Sequence, residues 1–398
     1  MSTGSKKLPP ALPVAASGEY ARQAHVGVPE GTFEEEHGRN GFFGRVSHLY
    51  RRHAPTGWNR IEGNCIPQAF DLNRLDASQS PIAFLENEDV RLAIFKPKGA
   101  MPHFYRNADG DDCWFIHRGQ GLIETDFGPL NYKKGDYVLL PRGTTYRFYP
   151  ESTSTESNKD GQFYLLIESA GEYEIPDRGQ LGRHAFFDPG VIEVAQAAPS
   201  SAGPTHGQEW AVVIKRCGQY TTAYYPFNPL DVVGWKGDLF AWKLNIADIR
   251  PIVSPRFHLP PSVHTTLVSR GFVLCTFAPR PMETEDPQAQ RVPFFHRNID
   301  YDEVLFYHAG DFFSRSGIGE GFVTFHPQGV HHGPHPKALK NQFTKEYADE
   351  YAVMIDTQRP LRPCASAGAC EIVEYKNSWK EPSKESATKP TAKPTTKP

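Results

Sequence analysis

The chain has 398 residues, 39% of them hydrophobic, enough for two to three domains or one large two-lobed body with a real core. Its 43 Lys and Arg against 46 Asp and Glu leave a net charge of −3, so the basic excess of a nucleic-acid or membrane-surface binder is missing. No stretch approaches the roughly 18 uninterrupted apolar residues of a membrane span, and the opening MSTGSKKLPPALPVAASGEY is too short and too broken by proline for a signal-peptide core.

Residues 1–40 are polar, interrupted by Pro and Gly, and end in EEEHGRNG, which predicts a flexible N-terminal arm. SPIAFLENEDVRLAIF (80–95) predicts two strands around an Asn-Glu-Asp turn, and GQFYLLIESA (161–170), EWAVVIKRC (209–217) and RGFVLCTFA (270–278) each predict one strand. From about 376 the chain reads NSWKEPSKESATKPTAKPTTKP, with too little apolar surface to offset ordering entropy, and a disordered tail over 376–398 is predicted. The 34 Gly and 35 Pro punctuate short runs rich in Val, Phe, Tyr and Thr, the pattern of an all-β-dominated protein. No G-x-G-x-x-G, P-loop or G-x-S-x-G occurs, which removes the usual support for nucleotide binding or serine hydrolysis. Six scattered cysteines without a C-x-x-C pair are those of a cytoplasmic protein with free thiols.

An internal repeat organises the middle of the chain. FYRNADGDDCWFIHRG (104–119) aligns without a gap on FHRNIDYDEVLFYHAG (295–310), and GDYVLLPRGTTYRF (135–148) on GFVTFHPQGVHHGP (321–334). Two copies of one β module follow, with a first module over 41–200 and a second over 201–375.

The second copy carries His296-Arg-Asn298, four residues, Glu303, and later Pro327-x-Gly329-x-x-His332. This resembles the two-part cupin pattern, whose small jelly-roll barrel brings such residues to one face of a metal. Two imidazoles and a carboxylate suit a borderline ion such as Fe(2+) and leave positions open for substrate and oxygen. His331 and His332 point to opposite faces of a strand, and the pattern selects His332. Asn298 replaces the second His of many cupins and is assigned a supporting role, toward bound oxygen or a ligand. In the first copy the matching residues are Tyr105, Asp112 and Tyr146, so that module is expected to be metal-free.

A two-cupin (double jelly-roll) chain with metal only in the second cupin resembles the homogentisate 1,2-dioxygenase family. SHLYRRHAP (47–55), ETDFGPL (124–130), EIPDRGQLG (174–182) and PFNPLDVVGWKGDLFAWKLNI (226–246) are similar to segments of that family, and the likeness covers roughly residues 43 to 360. It implies His296, Glu303 and His332 as metal ligands, with Asp302 the rival carboxylate because the animal enzymes have one residue fewer before it. His258, in RFHLPPSVHTTL (256–267), takes the place of the active-site base. His326, Tyr307 and His332 border the substrate; the family's substrate-contacting tyrosine falls near Phe312, with Tyr307 the nearest phenol. The implied reaction is Fe(2+)-dependent conversion of homogentisate and O2 to maleylacetoacetate, in tyrosine and phenylalanine breakdown. The partners are a small aromatic substrate and O2, and a homo-oligomer, trimer or hexamer, is expected. Alternatives are a related dioxygenase acting on gentisate, a hydroquinone or an aminophenol, and beyond these a non-oxidative cupin isomerase or a metal-binding protein.

Overall fold

The computed structural model describes residues 15–152, 161–198, 200, 207–297, 300–315 and 317–380. Each alternating segment forms a strand within it. Residues 161–170 give Phe163–Ser169, residues 209–217 give Trp210–Arg216 and residues 270–278 give Phe272–Phe277. Residues 80–95 give Ile82–Glu86 and Val90–Phe95, and Asn87 Oδ1 closes the turn by accepting from the Asp89 and Val90 amides at 2.8 and 2.9 Å. The α-helix among the described residues, Pro336–Asn341, is only six residues long.

The first repeat places Asp111–Arg118 inside an eight-stranded sheet and Phe104–Asn107 in a six-stranded one. Trp114, Ile116, Ile123, Val138, Phe148 and Tyr164 fill the space between them. The second repeat's Asp302–Gly310 sits between Glu350–Thr357 and Phe322–His326 in another six-stranded sheet. These are two mainly antiparallel jelly-roll modules, and the chain is a two-cupin protein.

Strand periodicity explains how the modules join. Phe115 and Tyr137 point out of the first module, and Val304 and Phe306 out of the second, into one shared core with Ile167, Val353 and Ile355. Residues at the same offset of the repeat meet there. The Phe115 and Phe306 rings lie 6.1 Å apart, and His117 Nδ1 lies 2.9 Å from His308 Nδ1. The two modules therefore pack back to back about an approximate twofold axis.

Three expectations need correction. Sheet membership does not divide the chain at 200. Gln68–Asp71 pairs with Phe322–His326 of the second module, while Trp210–Arg216, Trp242–Asn245 and Arg362–Pro363 pair with strands of the first. Each covers an edge whose unpaired amides and carbonyls would otherwise be left open. Second, residues 1–40 are not a flexible arm throughout. Phe33–Gly38 is a strand paired antiparallel to Val46–Arg51 and parallel to Phe295–His296, and Glu34, Glu35 and Glu36 are buried. Third, the chain remains packed through Trp379, which is buried against Tyr375 and Trp58; the rest of the predicted tail lies outside the described residues, as do residues 1–14. All six cysteines are unpaired. Among the described residues no helix is long and apolar enough to cross a membrane.

Candidate metal centre

Three side chains converge inside the second module. Val304 points into the inter-module core, so its neighbour Glu303 points the other way, into the barrel. His296 lies on the short strand paired with the N-terminal segment, and His332 reaches it through a two-way backbone bridge, with N–H···O distances of 3.0 and 2.9 Å. Both imidazoles are oriented by carbonyls. His296 Nδ1 donates to Phe294 O at 3.0 Å and His332 Nδ1 to Val330 O at 2.9 Å, which leaves each Nε2 as a lone pair.

Glu303 Oε2 completes the set, 3.3 Å from His296 Nε2 and 3.7 Å from His332 Nε2. Donors about 2.1 Å from one ion, at roughly right angles, would be about 3 Å apart, so little movement would be needed to bind one. Burial is nearly complete for all three, and His332 Nε2 has no hydrogen-bond partner. Protonation also suits coordination. Burial alone would push Glu303 up, but the imidazoles around it, His332, His296 and His326, hold its carboxyl well below the usual range. Burial, then the neighbouring His296, lowers His332 and keeps it neutral. The residues fit a divalent cation.

Asp302 points away from this set. It accepts from the Gln328 and Leu361 amides at 2.8 and 2.6 Å and from Gln328 Nε2 at 3.3 Å, tying two loops together. Glu303 Oε1 accepts from His326 Nδ1 at 2.8 Å, and His326 Nε2 accepts from the Tyr375 hydroxyl at 2.8 Å. With both ring nitrogens engaged, His326 is fully buried and absent from the cavity wall. The substrate contact implied by resemblance is therefore replaced by a positioning contact to Glu303. Burial, with His332 beside it, lowers its imidazole to about 3.

His296 and Glu303 open onto a cavity that is also lined by His258, His264, Tyr307 and Arg315. His258 Nδ1 lies 2.9 Å from Glu283 Oε1, a pairing that fixes the ring and leaves Nε2 free. Tyr307 is held by a 3.1 Å contact between its hydroxyl and Thr324, and Phe312 packs edge-on against it at 4.9 Å without reaching the cavity. Asn298 lies outside the described residues. In the first module Tyr105 pairs with Tyr146 as His296 pairs with His332, and the Tyr146 hydroxyl donates to Asp112 at 2.9 Å.

Several participants had escaped the sequence reading. Glu283 and Arg315 lie outside the metal pattern, and His264 carries a buried Nδ1 without a partner. Glu35, on the N-terminal strand, accepts from His331 Nε2 at 2.9 Å and pairs with Arg51 and Arg297. The EEE run signalled charge, but nothing in its spacing linked Glu35 to Arg297 and His331, far along the chain.

Fold and site together define a two-cupin protein with a buried three-donor centre in its second module. The profile of the homogentisate 1,2-dioxygenase N-terminal domain matches residues 80–246. A Saccharolobus solfataricus protein described as a "putative dioxygenase" is 32% identical over 389 residues, covering 91% of this chain and 97% of its own length. The homogentisate 1,2-dioxygenase of Pseudomonas savastanoi pv. phaseolicola is 24% identical, covering 95% of this chain and 93% of the enzyme. That of Sinorhizobium medicae is 25% identical, and the match spans 62% of its length. A cupin 2 conserved barrel domain protein from Leptotrichia buccalis aligns over 75% of this chain and 99% of its own at 8% identity and a TM-score of 0.35; the strand pairings, not this similarity, carry the fold. The chain belongs to the homogentisate 1,2-dioxygenase family and is a ring-cleaving dioxygenase by class.

Proposed function

We propose that His296, Glu303 and His332 hold Fe(II) and that the chain opens the ring of homogentisate with O2 to give maleylacetoacetate. The observation that carries this reading is the buried, partnerless His332 Nε2 beside His296 and Glu303, two residues that open onto a cavity His258 also lines. Bound there, Fe(II) supplies Lewis acidity toward a ring hydroxyl and one-electron chemistry toward O2. His258, steadied by Glu283, accepts the proton of the second ring hydroxyl at Nε2. Tyr307 positions the ring from the cavity wall. Arg280, Arg291 and Arg315 line the same cavity and favour a substrate bearing a carboxylate. That preference supports homogentisate or gentisate over an unsubstituted hydroquinone or an aminophenol. Self-association belongs to the proposal, supported by exposed apolar side chains at Tyr220, Tyr224, Phe227, Val233 and Leu239.

The test is oxygen uptake by iron-reconstituted protein with homogentisate, gentisate, hydroquinone and an aminophenol, alongside metal analysis. One O2 consumed per homogentisate is the expected result. Turnover without oxygen would replace the dioxygenase by an isomerase. Gentisate as the best substrate would keep the chemistry and change the side chain recognised.

A further inference from the structure

A second His and Glu cluster lies outside the centre just described. His25, Glu34 and His48 each bring one donor atom to within 4.8 Å of the others. Glu36 adds a carboxylate, with Oε2 3.5 Å from His48 Nε2 and 4.0 Å from His25 Nε2. Glu34 is already engaged. Its Oε2 accepts from His25 Nδ1 at 2.7 Å and its Oε1 from the Tyr50 hydroxyl at 3.0 Å. This is the carboxylate-to-imidazole contact that orients a metal-binding histidine, and it leaves His25 Nε2 facing Glu36. His48 Nε2 is buried with no hydrogen-bond partner.

The charge arrangement also calls for a cation. Among the described residues Glu34 and Glu36 pair with imidazoles and with no Lys or Arg. His25 is further fixed by its backbone, with a positive φ of 67° and its amide bonded to Glu34. The cluster borders a cavity of about 200 Å³ that His258 also lines. It is separated from His296 by Phe294, which stacks on His25 at 4.3 Å, and by Phe42.

We propose that His25, Glu36 and His48 form a second divalent-cation site of the zinc or iron class, with Glu34 locking His25 and an open position toward the cavity. The donor set is two imidazole nitrogens and one carboxylate oxygen, which such ions accept. The site would tie the N-terminal segment to the catalytic module beside His258. It does not depend on which aromatic compound the enzyme cleaves.

The test counts Co(II) bound by the chelator-stripped full-length chain, read from visible d–d bands and from metal analysis after gel filtration. Wild type should bind two equivalents, His48→Gln one, and the double variant His296→Ala/His332→Ala one. Combining all three substitutions should bind none. Glu36→Gln, which keeps size and removes charge, should match His48→Gln and serves if that variant fails to fold by circular dichroism. Saturation of the wild type at one equivalent overturns the proposal. So does a count of two in both His48→Gln and Glu36→Gln.

Discussion

His326 offers the sharpest separation between resemblance and geometry. Resemblance places it beside the substrate, whereas its ring bridges Glu303 Oε1 and the Tyr375 hydroxyl at 2.8 Å on each side. Replacing it by Ala removes the hydrogen-bond donor to Glu303 Oε1 and leaves that buried oxygen unpaired. A hydrogen bond to a charged group contributes about 1.5–3 kcal/mol. At about 1.4 kcal/mol per tenfold, divalent-metal binding should weaken roughly 10- to 150-fold, in line with the roughly 10- to 100-fold typical of contacts behind a ligand. The assay is metal competition against a chromophoric chelator, followed by steady-state kinetics expressed per bound metal. We expect a weaker metal site with KM for the aromatic substrate little changed. His326→Asn, whose amide can reach Glu303 from near the Nδ1 position, should recover part of the loss. Unchanged metal affinity with a raised KM would refute the positioning role and return His326 to the substrate.

Asp302→Ala should keep its metal and lose on the order of 3 kcal/mol of stability, because two amides lose their acceptor, whereas Glu303→Ala should lose metal; metal analysis and urea unfolding distinguish them. His258→Ala should retain metal, with the rate per bound metal falling roughly 10²- to 10⁴-fold, and a normal rate per metal would remove it from proton transfer. Tyr146→Phe should leave the metal count unchanged while costing about 1–2 kcal/mol, since it strips a partner from buried Asp112. Burial holds both histidines of the inter-module pair below their ordinary value, His308 at about 3. The unfolded chain therefore takes up protons first, and stability present above pH 6.5 is lost as pH falls toward 3. His308 alone accounts for on the order of 2–3 kcal/mol between pH 7 and 4.5. Replacing both histidines by Leu should flatten the pH dependence of urea stability by at least that amount, and an unchanged slope would contradict it.

The repeat was legible because it preserves offsets. Phe115 and Phe306 correspond by counting, and so do His117 and His308, before either pair is seen to touch. The convergence of His296, Glu303 and His332 was legible because a hairpin and a bridging strand fix their separation in sequence. The choice against Asp302 follows from strand alternation once Val304 is known to face the core. What stayed hidden was long-range. Glu34, Glu35 and Glu36 look solvated until His25, Arg51, Arg297 and His331 are placed around them. Trp379 looks like part of a polar tail until Tyr375 and Trp58 cover it. The exchanged edge strands, Gln68–Asp71 and Arg362–Pro363, are too short to announce a partner sheet.

The two copies show what a cupin does with the space when the donors change. Tyr105, Asp112 and Tyr146 occupy the places of His296, Glu303 and His332, with a shorter acid and two longer rings. A buried carboxyl still needs compensation, and in the first module it comes from hydrogen bonds and a proton. Asn107 donates to Asp112 Oδ1 at 2.8 Å and Tyr146 to Oδ2 at 2.9 Å. Burial, with Glu168 nearby, raises Asp112 to about 7. In the second module the corresponding carboxyl is held ionised among imidazoles, one of which keeps an unpartnered nitrogen. The Tyr146 ring meanwhile packs with Trp114 and Phe148, so the same volume becomes core. One copy has exchanged an ion-sized gap for apolar contacts, while the other keeps three converging donors beside a cavity and leans on the shared interface between modules for stability.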